Sequence, residues 1–170
     1  GTVRNVSLDT VIASDDTVGA NATAAGTGLI RNVSANTVLF SGNEDGLRLG
    51  AVEDARIEDV QIERSGLNET TNAAVVFDGD GGTYSDITVF ESLIQDNDGA
   101  GVLITSNTST EGLRVKRSLI ANNAMGIDNR NDTGVFDARN NWWGDSSGPS
   151  SATGGDTPYA DPVNGKLAIG

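Results

Sequence analysis

The chain has 170 residues, no cysteine and a net charge of −13, with 24 acidic against 11 basic residues. No disulfide or thiolate metal site is available to it, and phosphate backbones find no clustered basic surface beyond Arg114-Val115-Lys116-Arg117, so nucleic-acid binding is disfavoured. No stretch is long and apolar enough to span a bilayer as a helix.

In chain order, six stretches carry apolar residues at the same offsets. The first column reads Val6, Val33, Ala55, Ile87, Leu113, Phe136; the second Leu8, Ala35, Ile57, Val89, Val115, Ala138; the third Ala13, Phe40, Ile62, Ile94, Ile120, Trp143. The steps are 27, 22, 32, 26 and 23 residues in every column, which marks a stack of similar supersecondary units. Within each unit the apolar positions come mostly two apart, as in Ile87-Thr88-Val89, the period of a strand with one face in a core. A fourth apolar column follows after a turn, at Leu47, Val75, Val102 and Ile127. Three residues past the third column stand Asp16, Asn43, Ser65, Asn97, Asn123 and Ser146. Asn and Asp tolerate left-handed backbone, so this column is expected to form a stacked corner.

Three short strands and three turns per repeat predict an all-β, right-handed parallel β-helix of about six coils over residues 1–145. Leucine-rich repeats share the period, but the Leu-x-x-Leu-x-Leu pattern is missing. The 32-residue step holds two insertions, Gly66–Asn72 and Asp78–Thr83, and the 27-residue step holds Val18–Gly28; insertions emerge as flanking loops. Residues 146–170, rich in Gly, Ser, Asp and Pro, are expected to be a cap or a linker.

Lys116 and Lys166 are the only lysines, so Arg dominates a sparse basic set. Acid excess with few lysines is the surface chemistry of proteins from high-salt cells, where hydrated carboxylates maintain solubility. Asn-x-Ser/Thr sequons stand at Asn5, Asn21, Asn32, Asn68, Asn107 and Asn131, all at expected outward or loop positions and so compatible with glycosylation of an exported protein. The chain does not begin with Met and starts almost directly in a strand; a piece of a larger exported or virion protein is the economical expectation.

Both tryptophans sit in Asn140-Asn141-Trp142-Trp143-Gly144-Asp145-Ser146-Ser147-Gly148-Pro149. Trp143 falls in the buried column and is expected to plug the last coil; for Trp142 the expected role is likewise structural bulk at the terminal coil, with stacking on a sugar ring as the alternative. In this segment and the repeat columns, the chain resembles the parallel β-helix repeat superfamily, the pectate lyase-like group. The Asn-Asn-Trp-Trp-Gly-Asp-x-Ser-Gly-Pro run resembles the last-coil motif of secreted and surface β-helix proteins of halophilic archaea and bacteria. That resemblance covers about residues 2–145 and implies a fold rather than an activity. The group's frequent Tyr/Phe-x-Pro-Trp-Leu ending is replaced here by Pro158-Tyr159-Ala160-Asp161-Pro162. Copper-site members of the group use ligands absent from a chain with no His, no Cys and one Met.

Chemistry on such folds usually sits over one sheet. The outward positions of the fourth column are Arg48, Val76, Leu103 and Asp128, a row without the carboxylate pair of a glycosidase. Val76 and Leu103 instead suggest a contact surface for a ligand, a second chain or a covering loop. Alternating Asp and Gly at Asp78, Asp80 and Asp86 offer oxygen ligands suited to Ca²⁺, although no EF-hand Glu follows. The expectation is therefore a non-catalytic extracellular, cell-surface or viral-surface module of a halophile for surface structure, adhesion or glycan binding. Its expected partners are glycans, surface proteins or further copies of itself. The alternative is a polysaccharide lyase or hydrolase.

Overall fold

The computed structural model describes residues 1–23, 29–66, 72–79, 84–131, 134–151 and 162–169. Its strands, in chain order, are β1 (Thr2–Asp9), β2 (Ile12–Ser14), β3 (Val18–Thr23), β4 (Leu29–Ser41), β5 (Asp45–Gly50), β6 (Val52–Glu63), β7 (Ala73–Phe77), β8 (Ser85–Phe90) and β9 (Leu93–Gln95). There follow β10 (Ala100–Ile104), β11 (Leu113–Lys116), β12 (Leu119–Ala121), β13 (Met125–Asn129), β14 (Phe136–Asp137), β15 (Ser150–Ser151), β16 (Pro162–Asn164) and β17 (Leu167–Ala168). There is no α-helix among the described residues. The protein is all-β, and every described strand pairing is parallel.

Two sheets run through the molecule. One orders its strands β1-β4-β6-β8-β11-β14-β17, with β2, β9 and β12 attached alongside; the other runs β15-β16-β13-β10-β7-β5-β3. Each unit places strands in both sheets, so units stack strand on strand. The apolar columns of the sequence are the rungs of that stack. Val6, Val33, Ala55 and Ile87 are successive Cα partners, as are Leu47, Val75, Val102 and Ile127. Their side chains meet in one continuous core that includes Phe40, Ile57, Phe77, Phe136 and Trp143. Parallel strands buried this way hide whole runs, and Ala73–Phe77 and Ala100–Ile104 are buried at every position.

Left-handed backbone is stacked as well. One ladder of positive φ comprises Asn5, Asn32, Asp54, Asp86 and Gly112; a second comprises Thr10, Thr37, Asp59, Glu91, Arg117 and Asn140; a third comprises Asp15, Gly42, Arg64, Asp96 and Asn122. Residues such as Glu91 and Arg117 pay about 1–2 kcal/mol for that geometry, which the pairing on both sides overrides. The expected corner is thus displaced by one residue. The left-handed residues are Asp15, Gly42, Arg64, Asp96 and Asn122, while Asn43, Ser65, Asn97 and Asn123 turn inward and are buried.

Those inward side chains bond the amides of the preceding unit. The Asp16 amide donates to Asn43 Oδ1 at 3.0 Å and the Ser65 amide to Asn97 Oδ1 at 2.9 Å. Asn97 Nδ2 donates to Asn123 Oδ1 at 2.7 Å, and Asn123 Nδ2 donates to the Ile94 carbonyl at 3.1 Å. A second inner ladder runs through Ser92, Ser118 and Asn141, where the Ser92 amide donates to Ser118 Oγ at 3.1 Å and the Ser118 amide to Asn141 Oδ1 at 3.0 Å. Buried corners thereby keep their polar groups satisfied.

Beyond residue 145, β16 pairs with β13 through Ile127–Val163 and β17 with β14 through Phe136–Leu167. These described parts of the tail add rungs to both sheets.

Candidate functional site

The outward row expected to form a contact surface is one unbroken ladder. Arg48 pairs with Val76, Val76 with Leu103, and Leu103 with Asp128. It is nevertheless closed. Val76 is 0% and Leu103 2% exposed. They form a second apolar cluster with Ala73 and Ala100, against which Met125 packs. The charged ends are engaged too: Arg48 bridges Asp45 and Asp78, and Asp128 accepts from Arg130 Nε at 2.6 Å and Asn164 Nδ2 at 2.9 Å. The row is outward with respect to the main core, as the alternation requires, but offers no open apolar surface.

Asp78 spends its carboxylate on Arg48. Asp86 stands on an exposed left-handed corner, 3.9 Å from Arg114, and Asp80 lies outside the described residues. Among the described residues no group of three or more acidic side chains is arranged to hold a metal ion. Of the sequon residues, Asn5 and Asn32 are exposed and joined by Asn32 Nδ2 donating to Asn5 Oδ1 at 3.0 Å. Asn21 is exposed and accepts from its own Thr23 hydroxyl at 2.5 Å, and Asn107 is exposed. Asn131 is half-buried, with Nδ2 donating to the Thr108 carbonyl and Oδ1 accepting from the Gly134 amide, both at 2.7 Å. Asn68 lies outside the described residues.

A different outward row remains open. Ile12 pairs with Leu39, Leu39 with Gln61, Gln61 with Leu93, Leu93 with Leu119, and Leu119 with Trp142. These residues come one position before the third core column, so their side chains point away from the core. Ile12 is 76% and Trp142 51% exposed; the four between them are half-buried. Beside this row runs the second left-handed corner, Thr10, Thr37, Asp59, Glu91 and Arg117. Between the two lies a groove floored by Val11, Val38, Val60 and Ser92. The bend at each left-handed corner holds the groove's two walls apart. A separate concavity lies around Trp142, lined by Asp145, Pro149 and Ile169 among others.

The charged wall is ordered by an aromatic ring. Phe90, on an outward position of β8, lies between two guanidinium groups, with Arg56 4.9 Å and Arg117 5.0 Å from its centroid. Each is also ion-paired, Arg56 to Glu58 at 2.8 Å and Arg117 to Glu91 at 3.0 Å. Such stacking fixes arginine heads at a surface where they would otherwise sample many rotamers.

Resolved carboxylate shifts on these faces are all downward. The Arg56 guanidinium holds Glu58 below its ordinary value. Hydrogen bonds from Arg139 first, and from Lys116, hold Asp137 well below the usual carboxylate range, and the Ser147 hydroxyl and amide lower Asp145 from its ordinary value. A carboxylate held down is a poor proton donor, the opposite of what the acid of a glycosidase requires.

The open row carries the same repeat offset as the core columns, so periodicity was the signal for it. An outward reading confined to the fourth column does not reach it; only Trp142 of this row was singled out from sequence. No protein-family model, curated protein or solved structure matches the chain.

Proposed function

We propose that the chain is a right-handed parallel β-helix acting as a non-catalytic surface module. In this reading it stands on the outside of a halophilic cell or virion and engages glycans or surface proteins through the groove beside Ile12–Trp142. The handedness rests on the strong rule for connections between parallel strands of one sheet. The single observation that carries the function is the uncovered apolar ladder. Five of its six rungs are Ile, Leu or Trp, in a chain whose surface is otherwise dominated by acid. Such surface is retained where a partner covers it.

The test is a glycan array and a surface-protein binding screen in high salt, with and without calcium, followed by reducing-sugar and unsaturated-product assays on every hit. Binding without turnover is the expected result. Turnover would replace this reading with that of a polysaccharide lyase or hydrolase.

A further inference from the structure

Resting on the reading of the groove as a binding face, we infer that its occupant is a basic amphipathic α-helix of a partner protein, laid along the stacking axis. Three features of the face set this choice.

The first is spacing. Neighbouring rungs of a parallel sheet stand about 4.8 Å apart. Side chains on one face of an extended strand recur every ~6.7 Å and slip out of phase with the rungs by the second contact. Those on one stripe of an α-helix, three and four residues apart, advance by about 5.3 Å on average, within about 0.5 Å of one rung per step, and so keep near phase over about three consecutive rungs. The five steps from Ile12 to Trp142 then span about 24 Å, the length of roughly 16 helical residues.

The second is chemistry. The rungs Ile12, Leu39, Leu93 and Leu119 are aliphatic. Aliphatic side chains suit the apolar stripe of a helix; a pyranose ring prefers a run of aromatic faces, and here Trp142 is the only aromatic rung.

The third is charge. On the two corners that flank the row, Arg64 and Arg117 are already paired with Glu63 and Glu91. Asp59 on one side, and Asp15 and Asp96 on the other, have no cationic partner among the described residues. Asp59 accepts only a 3.4 Å contact from the Thr37 hydroxyl, and Asp96 accepts from Asn122 Nδ2 at 3.1 Å. A stripe of aliphatic residues bordered on both sides by uncompensated carboxylates complements an apolar stripe bordered by Lys and Arg.

The probe is a synthetic 18-residue Leu/Lys peptide with a helical apolar stripe. Its control has the same composition in an order that destroys the stripe. Binding is followed through the combined emission of Trp142 and Trp143 and by calorimetry, in salt high enough to screen non-specific attraction. The striped peptide is expected to bind at least about tenfold more tightly than the control. Leu93→Ser/Leu119→Ser is expected to lose about tenfold or more, as removal of two apolar contacts requires. Both substitutions are at outward positions, and a circular dichroism melt confirms that the variant folds. Equal binding of the two peptides, or an unaffected variant, overturns the helix. If the peptides fail to discriminate but the same variant loses a ligand found on the glycan array, the helix is wrong and the surface-module reading stands. If no ligand of either kind responds to the variant, both are wrong. Self-association that the variant abolishes would instead assign the row to a second copy.

Discussion

Two outward apolar rows run along this molecule, and they meet opposite fates. Val76 and Leu103, on the second sheet, are sealed into a satellite cluster with Ala73 and Ala100. Leu39, Leu93 and Leu119, attached to the first sheet, remain half-exposed between Ile12 and Trp142. Both follow from the same rule, that alternate side chains of a strand point away from the core. What separates them is what lies over each face. The first row contributes to stability; the second leaves apolar surface in water.

That contrast can be broken by substitution. Leu103→Ser should cost about 3–4 kcal/mol in urea unfolding, from lost burial plus a buried hydroxyl. A loss below about 1 kcal/mol would mean that the satellite cluster is open in solution. Asn97→Ala should cost about 2–3 kcal/mol by the same measurement, because it strips the Ser65 amide of its acceptor and the Ile62 carbonyl of a donor inside a closed stack. Leu119→Ser, on the open row, should change stability by no more than about 1 kcal/mol.

The smallest effect concerns pH. Asp137 is paired with Arg139 at 2.9 Å and Lys116 at 2.8 Å, and its carboxyl is held below its ordinary value. Its folded pKa therefore lies under its unfolded one. The stability it contributes is present above the ordinary carboxylate range, near pH 4, and fades as pH falls below that. Asp137→Asn should cost at most about 1 kcal/mol at pH 7, with the difference from the parent shrinking between about pH 4 and pH 2. A difference that persists unchanged at pH 2 would show that the pairing is not its source.

The stack itself was legible in the sequence because core rungs must be apolar at a fixed offset. Val6, Val33, Ala55 and Ile87 announce it, and the pairing register follows the same steps. The polar corner was half-legible. The Asn43–Asn97–Asn123 column could be seen, but whether it makes the left-handed turn or fills its inside depends on a one-residue phase that composition does not fix. Ser92 and Ser118 carried no local sign of an inner ladder, since a serine is at home on a surface as well. The site was the least legible part. Whether Val76 and Leu103 were covered, and by what, was not legible, because strand period gives direction, not cover. Leu93 and Leu119 were adjacent to the core column and easily absorbed into it. The resemblance to the β-helix superfamily, resting on Asn140–Pro149 and the columns, pointed to architecture and left the face of use undetermined.

The most direct measurement compares urea midpoints of Val76→Ser/Leu103→Ser and Leu93→Ser/Leu119→Ser with that of the parent chain. A steep fall is expected for the first pair, about 4 kcal/mol or more, and a shift within about 1–2 kcal/mol for the second. Equal losses in the two pairs would contradict it, because they would show that the Ile12–Trp142 row is covered by the protein's own chain and is not held open for a partner.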